Sequence, residues 1–180
     1  PCSEKDKYIL DQYLMQGGRI LWVVNGVRFS DEYLSQSGMT PVIPLELQID
    51  DMLFRYGVRV NATLVQDLQC LPVPVDVSSD PQQPNWQPMP WTYAPLLLTS
   101  HASPITRNLM QVSSTMASTI EFVGGEDGIY KEVLLATSSA SRITGTPAQV
   151  DLGFDDANPE EYRYAYVPVA ASMEGVFPSL

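Results

Sequence analysis

Six prolines fall between Leu71 and Trp91, at positions 72, 74, 81, 84, 88 and 90, and they limit what the middle of this chain can become. Proline fixes φ and removes the backbone donor, so the interior of a helix or of a central strand is closed to it. Residues 72–90 therefore read as an extended, partly polyproline-like loop. The same region is almost uncharged: residues 61–120 carry 3 acids and 1 base. Disordered segments are usually charge-rich and poor in aromatics, and this one holds Trp86, Trp91 and Tyr93 beside its prolines. Two readings follow. Rigid prolines with exposed aromatics suit contacts with protein or sugar, because little entropy is lost on binding. Alternatively the aromatics cover a sheet edge as core.

The remaining charge excludes some partners. The net charge is −11, and residues 121–180 hold −7 of it, from 10 acids and 3 bases. Such a surface repels phosphate backbones, which argues against nucleic acid, and it is equally unsuited to anionic lipid. No apolar run approaches 18 residues, so no segment reads as a membrane span. A 180-residue chain is one domain by length, large enough to stand without disulfides or metal. Pro1-Cys2 runs at once into a helical pattern, and the chain reads as an excised or processed piece with any anchor outside it. Cys2 and Cys70 form no CxxC motif and read as small thiols, with pairing open in an oxidising compartment.

The N-terminal third has the clearest periodicity. Residues 3–16 place Tyr8, Ile9, Leu10, Tyr13 and Leu14 at helical spacing, Ser3 with Asp6 supplies a cap, and Gly17-Gly18 supplies a stop. Ile20 to Val24 is a continuous apolar run, the pattern of a parallel strand covered on both faces. A second helical stripe joins Leu45, Ile49, Met52, Leu53 and Tyr56, with Pro44 in its first turn and Gly57 at its end. Short strands are expected over 58–60, 63–65, 91–98, 112–123, 132–138, 150–152 and 164–171. The order helix, Gly-Gly, buried strand predicts an α/β fold with a mixed, largely parallel sheet flanked by helices and a strand-rich C-terminal half. The first strand of that unit would lie upstream, and the edge left open could drive self-association.

Catalytic chemistry finds little purchase. His101 is the single histidine, and a Cys70–His101 pair is the thiol–base combination to weigh, without a glycine elbow to present the sulfur. A hydrolase acting on sugars or acyl groups would need that pair or two well-spaced carboxylates, and 21 acids always supply some pair. Zinc lacks ligands. Asp151, Asp155, Asp156, Asn158 and Glu160 could serve a calcium-stabilised module, although their spacing matches no EF-hand and a solvated acidic loop explains them equally. VGGEDG at 123–128 reads as a hairpin or loop, its acids unsuited to phosphate. No cofactor is expected.

Five segments in series carry a resemblance: DKYILDQYLMQGGRILWVVNGV, LQIDDMLFRYGVRVNATLVQDLQC, PMPWTYAPLL, VLLATSSASRI and PVAASMEGVFPSL. Together, over nearly the whole chain, they resemble the GldG-type, gliding-associated auxiliary proteins of Bacteroidetes ABC transporters. The family's extracytoplasmic part is similar to a domain of an intraflagellar transport protein and to a class I glutamine amidotransferase-like, flavodoxin-like sheet. The resemblance implies a single extracytoplasmic domain on the periplasmic side of the inner membrane, with its anchor outside this chain. It would work beside membrane and ATPase subunits in gliding or secretion. It implies no catalytic residue. The expected function is a non-enzymatic interaction or ligand-binding domain, taking a peptide or carbohydrate, with Trp86, Trp91, Tyr93 and His101 as its binding candidates.

Overall fold

The structure, a computed structural model, describes residues 2–78, 82–124, 128–152 and 158–180. Its elements in order are α1 (Glu4–Met15), β1 (Val27–Arg28), α2 (Asp31–Ser37), β2 (Met39–Pro44), α3 (Asp50–Tyr56), β3 (Val58–Val60), β4 (Thr63–Asp67) and β5 (Cys70–Asp76). Then come β6 (Trp86–Thr99), β7 (Gln111–Ser113), β8 (Ile120–Phe122), β9 (Ile129–Ala136), β10 (Ser141–Gly145), β11 (Ala148–Asp151) and β12 (Pro168–Gly175). Among the described residues, strand accounts for 41% and helix for 17%. The largest sheet runs β12-β9-β6-β5, with β7 also on β6, and smaller ones join β1-β2-β11, β10-β4 and β3-β8. Every one of these pairings is antiparallel.

This overturns the expected largely parallel, flavodoxin-like sheet flanked by helices. The decisive segment is residues 19–25. It is extended but belongs to no strand, and exposure alternates along it, with Leu21 at 88% and Val23 at 86%. Trp22 and Val24 point the other way, onto a small cluster of Ile49, Leu53 and Val58. A continuous apolar run fixes that both faces are apolar, and it does not fix that both are covered. The later apolar run at β9 does pair, but with β12, and antiparallel.

The helices are shorter or differently used than their patterns predict. Ser3 caps α1 in a box with Asp6, and Gly17 leaves the helix at φ +84°, as expected. Yet α1 buries Lys7 and Asp11, while Tyr8, Ile9 and Tyr13 stay exposed. Lys7 reaches Asp51 at 3.0 Å and Glu4 at 2.9 Å, so charge pairing rather than the apolar stripe orients this helix. Pro44 ends β2 instead of opening α3, because residues 39–44 are held in a ladder between β1 and β11. Gln48 at φ 59° then breaks the chain before α3, which buries Met52, Leu53 and Tyr56 and stops at Gly57 as predicted. The stretch 112–123 divides into β7 and β8 around Met116, itself buried at positive φ. The main core gathers Val27, Leu34, Val42, Leu64, Trp91, Ala94, Met116 and Val150.

Candidate interaction surface

The proline-rich stretch forms most of a hairpin. Residues 70–76 and 86–90, expected as loop apart from their ends, are ladder-paired as β5 and the outer half of β6. The register explains how strands tolerate the prolines. Pro72 lies opposite Pro90 and Pro74 opposite Pro88, while Val73 faces Met89 and Val75 faces Gln87. Antiparallel pairs alternate between hydrogen-bonded and non-bonded sites. Just beyond the ladder, Val77 N–H donates to the Asn85 carbonyl at 2.9 Å, which assigns the bonded sites to the odd-numbered set. All four prolines therefore occupy sites whose N–H would point away from the partner strand, and none removes a ladder bond.

Side chains two residues apart share a face. Pro72, Pro74, Pro88 and Pro90 thus stand together on one face of the ribbon, with Trp86 and Asp76 paired at its outer end. All six are exposed, Trp86 at 63%. The other face turns inward, where Val73 packs against the main core. The outer end is held by Asp76, whose carboxylate accepts from Ser78 N–H at 2.9 Å and Asn85 N–H at 2.8 Å. Those backbone donors, with the Ser78 hydroxyl, hold its carboxyl below the ordinary value.

The four sequence candidates separate along β6. Trp91 is 5% exposed and its Nε1–H donates to the Asp151 carbonyl at 3.0 Å. Tyr93 is half-buried, its ring 6.0 Å from that of Trp91 and packed on the same core. Trp86 alone of the three aromatics presents its ring to solvent. His101 is exposed beyond the far end of β6. Cys70 pairs with Pro95, four residues before the end of β6 at Thr99, and among the described residues no hydrogen bond joins its thiol to His101. Burial first, then the Asp67 charge, pushes the Cys70 thiol up, away from thiolate chemistry. Cys70 and Cys2 are free thiols.

Of the calcium candidates, Asp155 and Asp156 lie outside the described residues, as do Pro81 of the loop and Gly125, Glu126 and Asp127 of the glycine-rich turn. Among the described residues, no three His, Cys, Asp or Glu side chains gather as a metal site. Asn158 caps a 3₁₀ turn at Pro159–Glu161, and Glu161 pairs with Arg142.

Sequence reasoning missed two buried carboxylates. Asp11 is 1% exposed and accepts from Tyr56 Oη at 2.8 Å, Ser179 Oγ at 2.8 Å, Leu180 N at 3.0 Å and Gln12 Nε2 at 3.1 Å. Burial alone would raise its carboxyl, but the bonds from Ser179, Tyr56, Leu180 and Gln12 outweigh it and hold the group below its usual range. Burial and then Asp11 push the Tyr56 phenol up in turn. Asp67 accepts from Ser138 N at 2.7 Å, Ser138 Oγ at 2.6 Å and Gln69 N at 2.8 Å, tying β4 to the β9–β10 turn. An acid in an amphipathic helix or a strand carries no local signal of burial, so neither was legible. A shallow depression of about 780 Å³ is lined by Asp50, Asp51, Phe54, Arg55, Arg59 and Val60. Its charges are largely committed, Asp51 to Lys7, Arg59 to Glu121 and Arg55 to the Ser179 carbonyl.

A family model described as an ABC-type uncharacterized transport system matches residues 1–180. The chain belongs to this family. No curated protein and no solved structure matches it. Within the ABC-type transport family the chain is an auxiliary component, so the proline–Trp86 face belongs to a protein that accompanies a transporter.

Proposed function

We propose that this domain is a non-catalytic interaction module of its ABC-type transport system, and that the proline–Trp86 face of the β5–β6 hairpin is its contact surface. The observation that carries the reading is the segregation on one ribbon: four prolines and a tryptophan outward, Val73 and Trp91 inward. Proline rings on a paired ribbon lose almost no freedom on binding, and an exposed tryptophan among them is the residue type that dominates interface energetics. A peptide segment of a transporter subunit suits this flat apolar strip, and a sugar ring is the second ligand class that stacks on tryptophan. The resemblance to gliding-associated proteins supports a role in gliding, on the periplasmic side of the inner membrane, with contacts to the membrane and ATPase subunits made through the full-length protein. The hydrolase alternative gains no support from a raised thiol that, among the described residues, no hydrogen bond joins to the only histidine.

The test is co-purification of the transporter subunits with the intact protein. Trp86→Ala is expected to lower their recovery at least tenfold while leaving the melting temperature unchanged. Undiminished recovery by a folded Trp86→Ala protein would remove the face from consideration. Trp91→Ala serves as the contrast, since its loss acts through folding.

A further inference from the structure

Residues 19–25 are a strand without a sheet. Exposure alternates strictly along Arg19, Ile20, Leu21, Trp22, Val23, Val24 and Asn25, the odd positions open and the even ones half-buried. Trp22 and Val24 pin the segment onto the cluster around Ile49 and Leu53. Among the described residues, no backbone hydrogen bond reaches it, the first on its C-terminal side being Leu45 N to the Gly26 carbonyl. A row of free N–H and C=O groups on an extended, β-branched-rich segment is a template for main-chain pairing. We propose that residues 19–25 accept an extended apolar strand of a partner polypeptide, which pairs with them main chain to main chain and covers Leu21 and Val23.

Three observations select this occupant. Only a strand offers donors and acceptors at the spacing the bare backbone requires, with alternate side chains to meet Leu21 and Val23. A second copy is disfavoured by charge, since two chains of net −11 repel. Self-pairing over seven residues would also bury far less than the roughly 1,200 Å² at which stable dimers begin. A partner of different sequence is not bound by that symmetry. It can continue onto α1, where Ile9 and Tyr13 are exposed on one face and the Tyr13 ring lies against Gly18 at the start of the segment. Arg19 is the one charge in the segment, so the complementary strand is apolar, with an acid tolerated only opposite that end. The surface is separate from the proline–Trp86 face, and the inference stands or falls without it.

Hydrogen exchange resolved by residue tests it. In the free chain the amides of residues 20–25 are expected to exchange with little protection. A nine-residue peptide alternating valine and threonine between terminal lysines should slow every second one of them, the set that faces the peptide, at least tenfold, whereas an all-threonine peptide with the same lysines should not. Replacing Leu21 and Val23 together by proline removes two donors that bond nothing internal. That variant should melt as the parent does and lose the peptide-induced protection, while Leu21→Ser with Val23→Ser should weaken it by about tenfold. Protection already present in the dilute free chain overturns the proposal, as does protection that grows with protein concentration alone, which would assign the strand to a second copy. Equal response to both peptides, no response to either, or unfolding of the proline variant overturns it as well.

Discussion

Asp11 shows how much one buried carboxylate can organise. It joins α1 to Tyr56 of α3 and to the C-terminal residues Ser179 and Leu180, with uncharged donors only. Asp11→Ala leaves the buried Tyr56 hydroxyl unpaired, and such orphaned donors cost about 2 kcal/mol. Urea unfolding should read a loss of that order. The pH dependence has a fixed sign. Because the folded carboxyl titrates below the unfolded one, its stabilisation is complete above the unfolded pKa of about 4 and disappears as pH falls through the folded value. Parent and Asp11→Asn should therefore differ most near neutrality and converge in acid, as melting temperatures against pH will show. At Gly26 the constraint is steric. A Cβ there would stand 2.5 Å from the Asn61 carbonyl oxygen and 2.8 Å from Ser118 Oγ. Gly26→Ala should cost about 1–3 kcal/mol, the range of overpacked sites.

At the scale of elements, the β5–β6 ribbon reconciles a proline-rich sequence with strand structure. β5 is the edge of its sheet, and its prolines occupy the outward sites, where a free N–H would otherwise invite another chain. Pro72→Val with Pro74→Val should keep the hairpin and restore that edge. The expected outcome is concentration-dependent association, visible by sedimentation, that the parent does not show. The two tryptophans of this ribbon should behave oppositely under truncation. Trp91→Ala empties a core position and removes the bond to the Asp151 carbonyl, at about 3–5 kcal/mol, while Trp86→Ala should fall within about 0.5 kcal/mol of the parent. Denaturant midpoints with unchanged slopes would separate them. A local rule of thumb, proline against strand, failed here because the ladder asks only every second residue for a bond.

Across the whole molecule, caps, turn residues and short strands were legible, because they depend on neighbours in sequence: Ser3 with Asp6, Gly17, Gly57, and strands at 58–60 and 63–65. Acid sensitivity is a property at this scale too. Asp6 and Asp11 of α1, Asp51 of α3 and Asp76 of β5 all have carboxyls held below their usual range by hydrogen bonds, so stability should fall together as pH drops below about 4. What the chain could not declare was partner choice. The apolar run at 20–24 is compatible with a covered parallel strand or with a half-exposed unpaired one, and the same residues serve both. Likewise the apolar side of α1 could not announce that Lys7 and Asp11 would turn inward instead, since Asp51 and Tyr56 lie more than forty residues away along the chain. Neighbouring residues suffice for the cap and stop of α1, for the stop of α3 and for the hold of proline on the middle of the chain, but not for the start of α3, which opens at Asp50 and not at Pro44. The antiparallel sheets, the burial of Trp91 against the exposure of Trp86, and the unpaired backbone of residues 19–25 emerge from the assembled fold. Local conformation follows from steric and capping forces within a few residues, whereas pairing and burial are set by contacts between segments far apart in the chain.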